Sequence, residues 1–368
     1  YYTTKYPELV NELDRFGNSA LHNAAKNAAR RTLKLLLKEG VDPNALNLAG
    51  LSPLHLIIMS KAINRDDCCL YMLERGFDED QATPDGKTTL MLAVEHGRFK
   101  LVQTLIEINY KMVNMPDNHG TTPLQASFAS RVFSITKVLV EYGADVNAPG
   151  YCGTYPLHDC IQTGDIDFPN LLLSHGAHIN VREPFHEQTP LMWACTAGLP
   201  DFVHLYIMQG ANIMEQDDNG WAAGHHAAYN GNWEMYDPLH FGDYDFDFPD
   251  FQGRSPLHVA AEYGRTDFAK SLLLGCCNVH MQDSEGNQPS HIAARDNKME
   301  TLRMICIYDE HIGRINYNHL TPLGIAKMHD SREAAAFLEL HYKHVEADAG
   351  RNEVGEIWWD REVDLHAD

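Results

Sequence analysis

Apolar and polar positions recur in one arrangement from Asp14 to about Val345. A stretch rich in Asp, Asn and Gly, such as Asp117-Asn118-His119-Gly120, precedes a short apolar run that usually opens on Pro. Gly in such a turn tolerates positive φ. Pro at the first turn of a helix forfeits an N–H that has no partner there in any case. Small residues follow, as in Ala24-Ala25, Ala260-Ala261 and Ala293-Ala294, and let neighbouring helices approach closely. A second run is then apolar at i, i+3 and i+4, with Leu33, Leu36 and Leu37 early in the chain and Phe168, Leu171 and Leu172 further on. That spacing predicts an amphipathic helix. Each unit therefore predicts a turn, a short helix and a second helix.

The arrangement is periodic. Ser-Pro-Leu-His at 52–55 returns as Thr-Pro-Leu-Gln at 122–125, Tyr-Pro-Leu-His at 155–158, Thr-Pro-Leu-Met at 189–192, Ser-Pro-Leu-His at 255–258 and Thr-Pro-Leu-Gly at 321–324. Weaker copies begin at Ser19, Thr88, Ala222 and Gln288. Two residues before each copy stands a turn position: Gly17, Gly50, Gly86, Gly120, Gly153, Glu187, Gly220, Gly253, Gly286 and His319. Most steps between them are of 33 residues, and ten units share the register. A fixed period of this size is the mark of a repeat architecture.

These motifs resemble the ankyrin-repeat family over residues 14–345. The resemblance implies an all-α fold, a right-handed solenoid of helix–turn–helix repeats with β-hairpin fingers along one edge. It also implies a groove, formed by fingers and first helices, that binds partner proteins. No single unit of such a fold buries its own apolar face, so stability comes from the interfaces between neighbours. Residues 1–13 are expected to cap the array, and 346–368 form an acidic tail. Trp358 and Trp359 in that tail are expected either to dock back on the last repeat or to form a short partner motif.

Two departures from the pattern have predicted consequences. About three extra residues near Lys61–Asp67 lengthen the inter-helix loop of the second unit. In the seventh, Trp221-Ala222-Ala223-Gly224 replaces the usual start, and Pro238 falls inside the expected second helix, which it should bend or shorten. The second helix of each unit is expected to end on a left-handed residue. Gly40, Gly76, Asn109, Gly143, Gly176 and Gly210 suit that place. Asp243, Cys276, Asp309 and Tyr342 should make the later ends less uniform.

Composition narrows the function. Hydrophobic residues make up 44 % and charged residues 22 %, as in folded rather than disordered chains. No apolar run reaches membrane-spanning length. The first residues lack the layout of a signal peptide. The chain opens on Tyr rather than Met and is read as a fragment whose missing ends could carry targeting. Eight cysteines, with no Cys-x-x-Cys, read as reduced core residues of an intracellular, cytoplasmic protein. An association with the cytoskeleton fits the same reading.

Net charge is −22 and uneven. Residues 211–250 hold nine carboxylates and no Lys or Arg, whereas residues 14–46 hold six basic side chains against three acidic ones. A polyanionic surface repels phosphate backbones, which argues against nucleic acid; the acids read either as a match for a protein partner with a basic segment or as a source of solubility alone.

Candidate chemistry is sparse. His22, His55, His158, His225, His258 and His291 share one repeat position, where an imidazole can hydrogen-bond the turn backbone. No metal set, phosphate loop, dinucleotide motif or nucleophile elbow appears in the sequence, and no cofactor or enzymatic activity is expected. Asp243-Tyr244-Asp245-Phe246-Asp247 begins like a calcium loop but has Phe248 and Arg254 where Gly and Glu are needed. It reads instead as a partner contact or a solvated finger. Positions flanking the turn glycine, and nine or ten places after it, give the candidate binding residues Tyr151, Phe185, Trp221, Tyr229, Phe251, Arg254, Tyr263 and Tyr317. Aromatic residues and Arg dominate binding hot spots. The competing expectation is that several of these aromatics brace neighbouring fingers. The expected function is a non-enzymatic scaffold or adaptor. Alternatives are a substrate-recognition subunit of a ubiquitin ligase and a tether or sensor domain of a channel or cytoskeletal assembly.

Overall fold

The structure is a computed structural model that describes residues 12–62, 65–78, 80–309 and 312–349, with side chains described to 343. The paired tryptophans of the acidic tail and the expected N-terminal cap thus lie outside the described residues, apart from positions 12 and 13. The chain divides into two compact units, Tyr1–Pro184 and Phe185–Asp368. Ten helix pairs and four 3-10 segments make up the described secondary structure.

In the first unit the pairs are α1 (Ala20–Lys26) with α2 (Arg30–Lys38), α3 (Pro53–Met59) with α4 (Arg65–Leu73), and α5 (Thr89–Glu95) with α6 (Phe99–Ile108). They continue with α7 (Pro123–Ser130) and α8 (Phe133–Glu141), then α9 (Pro156–Asp159) and α10 (Asp167–Ser174). The second unit pairs α11 (Pro190–Ala197) with α12 (Pro200–Met208), α13 (Ala223–Asn230) with α14 (Tyr236–Phe241), and α15 (Pro256–Tyr263) with α16 (Thr266–Leu274). It closes with α17 (Pro289–Arg295) and α18 (Met299–Tyr308), then α19 (Pro322–Met328) and α20 (Arg332–Ala349). Within each unit first helices stack on first helices: α1 on α3, α3 on α5 and α5 on α7, and likewise α11 through α19. Leu33, Leu36, Phe168 and Leu172 are buried as their spacing requires, and so are the small residues Ala25, Ala260 and Ala293 between first helices.

The repeats close on themselves at the finger. A turn Asp or Asn accepts two backbone N–H groups through one oxygen: Asp217 from Asn219 and Trp221, each at 2.9 Å, and Asp250 from Gln252 and Arg254, each at 2.8 Å. The backbone adds two bonds, Asp217 N–H to Trp221 C=O and Gly220 N–H to Asp217 C=O, both at 3.0 Å. The fingers are therefore hydrogen-bonded turns rather than the expected β-hairpins: no strand occurs among the described residues, because side-chain oxygens of the turn Asp take the N–H groups that a strand ladder would use. The two turn positions that lack Gly, Glu187 and His319, still take φ of +57°.

Helix ends depart from expectation in both directions. Asp243 and Cys276 are left-handed, with φ of +57° and +62°, although neither is Gly. Asn109 is not: its φ is −142°, its side chain accepts the Lys111 N–H, and a 3-10 segment Tyr110–Asn114 follows. Asp309 is extended and Tyr342 lies inside α20. In the second unit α3 ends at Met59 and α4 starts at Arg65, so the last three residues of the Lys61–Asp67 stretch belong to α4 rather than to the loop expected there. Pro238 shortens its helix as expected. A 3-10 turn Trp233–Met235 leads into α14, where Pro238 is the third residue and its missing N–H falls in the first turn.

Gly224, which replaces the usual Leu, is explained by packing. A Cβ at Gly224 would collide with the buried ring of Tyr244. Tyr244 belongs to the acidic segment read above as a partner contact. Its ring instead faces inward, and Phe246 stacks on Tyr236 at 4.8 Å, which leaves Asp243 and Asp245 as the exposed half. Gly224→Ala should destabilise the second unit by about 1–3 kcal/mol, the cost of overpacking a tight core, measurable by urea denaturation. Unchanged stability would mean that Tyr244 moves freely.

All eight cysteines are free; Cys68, Cys69, Cys160, Cys195 and Cys306 are buried, while Cys152 and Cys276 are exposed turn residues. Burial raises the Cys277 thiol to about 12.

Candidate protein-binding site

The shared histidines act as struts. In His258, Nδ1 accepts the Ser255 N–H at 3.1 Å, and Nε2 meets the Asn287 carbonyl of the next repeat at 3.0 Å. An acceptor at Nδ1 and a carbonyl at Nε2 require the neutral tautomer with the proton on Nε2. His22, His55, His225 and His291 repeat the geometry with Leu51, Gln81, Arg254 and Leu320 as the carbonyls. Gln125 substitutes for the imidazole: Oε1 accepts the Thr122 N–H at 3.1 Å and Nε2 donates to Thr154 C=O at 3.2 Å. Burial disfavours the charged ring and lowers His225 and His258 to about 4. These five histidines are therefore architectural.

Beside this ladder the second unit gathers four of the candidate residues. Trp221 follows the finger glycine and is half-buried; its ring lies 6.0 Å from Tyr229, which meets Tyr263 edge-on at 4.8 Å. Arg254, from the next finger, holds its guanidinium 5.9 Å over the Trp221 ring. Its donors are committed at home, with Nε and Nη2 on Asp250 and Nη1 on Glu262, all at 2.9 Å. Only 17 % of the Arg254 side chain is exposed, so it presents a flat, braced face rather than a free charge. The Trp221 indole N–H is buried and has no acceptor among the described residues. A buried donor without a partner is costly and invites one.

His226 completes the support. Its Nε2 lies 3.1 Å from Asp217 Oδ2 and its Nδ1 2.9 Å from Thr196 Oγ1. Burial alone would raise Asp217, but the hydrogen bonds from His226 and the Trp221 N–H outweigh it and hold the carboxylate below its ordinary range. The Thr196 hydroxyl donates to the Met192 carbonyl, so the row Thr196–His226–Asp217 fixes the finger under Trp221 and presents no activated nucleophile.

The remaining candidates stand apart. Phe251 and Tyr317 are 69 % and 66 % exposed, yet each packs on the preceding finger, where a Cβ on Gly220 or Gly286 would strike its ring. They bridge finger to finger as well, Tyr317 N–H donating to Glu285 C=O at 3.1 Å. Phe185, exposed, opens the second unit. Tyr151 lies in the first unit, edge-on to His119 at 5.9 Å. Sequence reasoning missed Glu262 and Asp250 as the clamp on Arg254; their spacing of four and eight from Arg254 becomes a signal only once the finger geometry is known.

Ankyrin-repeat descriptions, of three copies and of many copies, match residues 56–150, 113–183, 191–283 and 260–349, and residues 3–57. The chain belongs to the ankyrin-repeat family. Ankyrin repeats are in general non-catalytic modules that bind other proteins. Among similar proteins, Transient receptor potential cation channel subfamily A member 1 of Homo sapiens is 23 % identical over 69 % of this chain and 23 % of its own length. E3 ubiquitin-protein ligase KEG of Arabidopsis thaliana is 25 % identical over 58 % of this chain and 14 % of its own. Rabankyrin-5 of Homo sapiens is 27 % identical over 67 % of this chain and 19 % of its own. The chain thus spans less than a quarter of each of these relatives. No helix among the described residues is long and apolar enough to cross a membrane.

Proposed function

We propose that this ankyrin array is a non-enzymatic protein-binding scaffold, and that its second unit takes a basic segment of a partner on the surface around Trp221, Tyr229, Tyr263 and Arg254. The observation that carries this reading is the line of three contiguous, part-exposed aromatic rings with the Arg254 guanidinium over its first member. An aliphatic or cationic side chain laid across the rings would complete the site. Asp218, two residues before the finger glycine, and Asp243 and Asp245 are exposed acids of the same unit that favour a cationic partner. Phe251 and Tyr317 serve mainly to hold fingers in line, with their exposed edges available at the margin. Tyr151 and Phe185 are proposed as separate contacts.

Trp221→Ala and Tyr263→Ala should each weaken partner binding by about 2–4 kcal/mol, the scale of hot-spot residues, as measured by calorimetry on a captured partner. Raising salt from about 50 to 500 mM should weaken it further as charges are screened. Affinity kept by both variants removes the aromatic surface, and a flat salt response removes the basic segment. The names of the first two relatives match the ligase and channel settings considered above. Either would use such a recognition surface within a longer parent.

A further inference from the structure

The second helix of the first repeat carries a charge pattern opposite to that of the chain as a whole. α2 holds Arg30, Arg31, Lys34 and Lys38 and no acid, in a molecule of net charge −22. Arg30 with Lys34, and Lys34 with Lys38, are like charges four residues apart, and two arginines in the first turn oppose the helix dipole. The N-cap, Ala29, offers no side-chain bond in return. Local choices that work against the helix mark positions retained for another purpose.

Their arrangement is specific. The ring of Tyr71, part-exposed on α4, is faced by three cations: Arg30 at 5.8 Å, Lys34 at 5.1 Å and Arg75 at 5.3 Å from its centre. Arg30, Arg31, Lys34 and Arg75 make no ion pair among the described residues, in contrast to Arg254, Arg295 and Lys87. A depression of ≈ 640 Å³ lies alongside, lined by Ala28, Ala29, Arg30, Arg31, Thr32 and Lys34. Its alanine methyls and arginine stems offer apolar area beside the free charges.

We propose that this patch around Tyr71 is a second docking surface, for a short acidic peptide segment of a partner protein. Carboxylates would pair with the unengaged guanidiniums while an apolar side chain enters the depression beside Ala28 and Ala29. Range decides for a peptide over a larger polyanion. At physiological salt the screening length is about 8 Å, so a short segment senses mainly the patch. An extended anionic surface would also meet the acids elsewhere on this chain. The patch is independent of the aromatic surface of the second unit and opposite to it in preference.

The test is fluorescence anisotropy of a short labelled peptide of Glu, Asp and Leu with the full chain. Binding is expected to weaken steeply from about 50 to 500 mM salt. It should fall at least tenfold in the Arg30→Ala/Arg31→Ala/Lys34→Ala variant, whose thermal melt should be unchanged or raised. Trp221→Ala should bind the peptide like the parent, and Arg30→Lys/Arg31→Lys should keep most of the affinity. No binding, or binding equal in the triple-alanine variant, overturns the proposal. So do three assignments to another occupant: retention on phosphatidylserine vesicles without peptide binding, a dimer that the triple-alanine variant dissolves, or affinity that rises when Glu353, Glu356, Asp360 and Glu362 become Gln in the full chain.

Discussion

His258→Ala is expected to lower the stability of the second unit by about 3 kcal/mol, or roughly 6–12 °C in its melting temperature. The ring is fully buried and satisfies two backbone groups at once, the Ser255 N–H and the Asn287 carbonyl. Truncation leaves both without a partner, at about 1–3 kcal/mol each, and opens a cavity between repeats. His258→Gln should recover much of the loss, because Gln125 performs the same double duty four repeats earlier in the chain. A His258→Ala variant as stable as the parent, by urea denaturation followed by circular dichroism, would show that the struts are ornamental.

Acidification should act through the same residues. His225 and His258 are held near 4 in the folded chain, chiefly by burial, against about 6.5 when unfolded. Above pH 6.5 both states carry neutral rings and stability is flat. Between 6.5 and 4 only the unfolded chain binds protons, so stability falls as the pH falls. From pH 7 to 5 the two rings together account for about 4 kcal/mol. His22, His55 and His291 are lowered for the same first reason, burial, and add in the same direction. Asp250 and Asp283 stand near enough to favour the charged ring of His258, and Arg254 opposes it, but burial outweighs all three. Asp14, held near 2 chiefly by the Asn18 N–H, acts only below this window. Urea midpoints that do not move between pH 7 and 5 would mean that these rings titrate alike in the folded and unfolded chain.

The candidate surface was half legible in advance. Trp221, Tyr229, Tyr263 and Arg254 were accessible to sequence because repeat register maps each to the finger or the first helix. Register could not tell which aromatics touch one another and which lie on a glycine of the preceding finger. Phe251 and Tyr317 share their repeat position, and only the close approach to Gly220 and Gly286 shows their bracing role. The role of Arg254 was likewise hidden, since a cation beside a finger reads as a free contact until Asp250 and Glu262 are seen to hold it.

By itself the sequence determined the repeat: its period, the turn glycines, the Pro-opened helices and the strut position are all local, and each is dictated by backbone geometry within a few residues. It also determined the short α14, because Pro238 acts on its own helix. Only tertiary structure decided what faces what. Gly224 had no meaning until Tyr244 was placed over it, and Asp243 and Cys276 became left-handed although no glycine stood there. The cation cluster at Tyr71 joins helices from two repeats across about forty residues of sequence. Such pairings arise from packing between repeats, where contact is set by the stack and not by the spacing along any one of them.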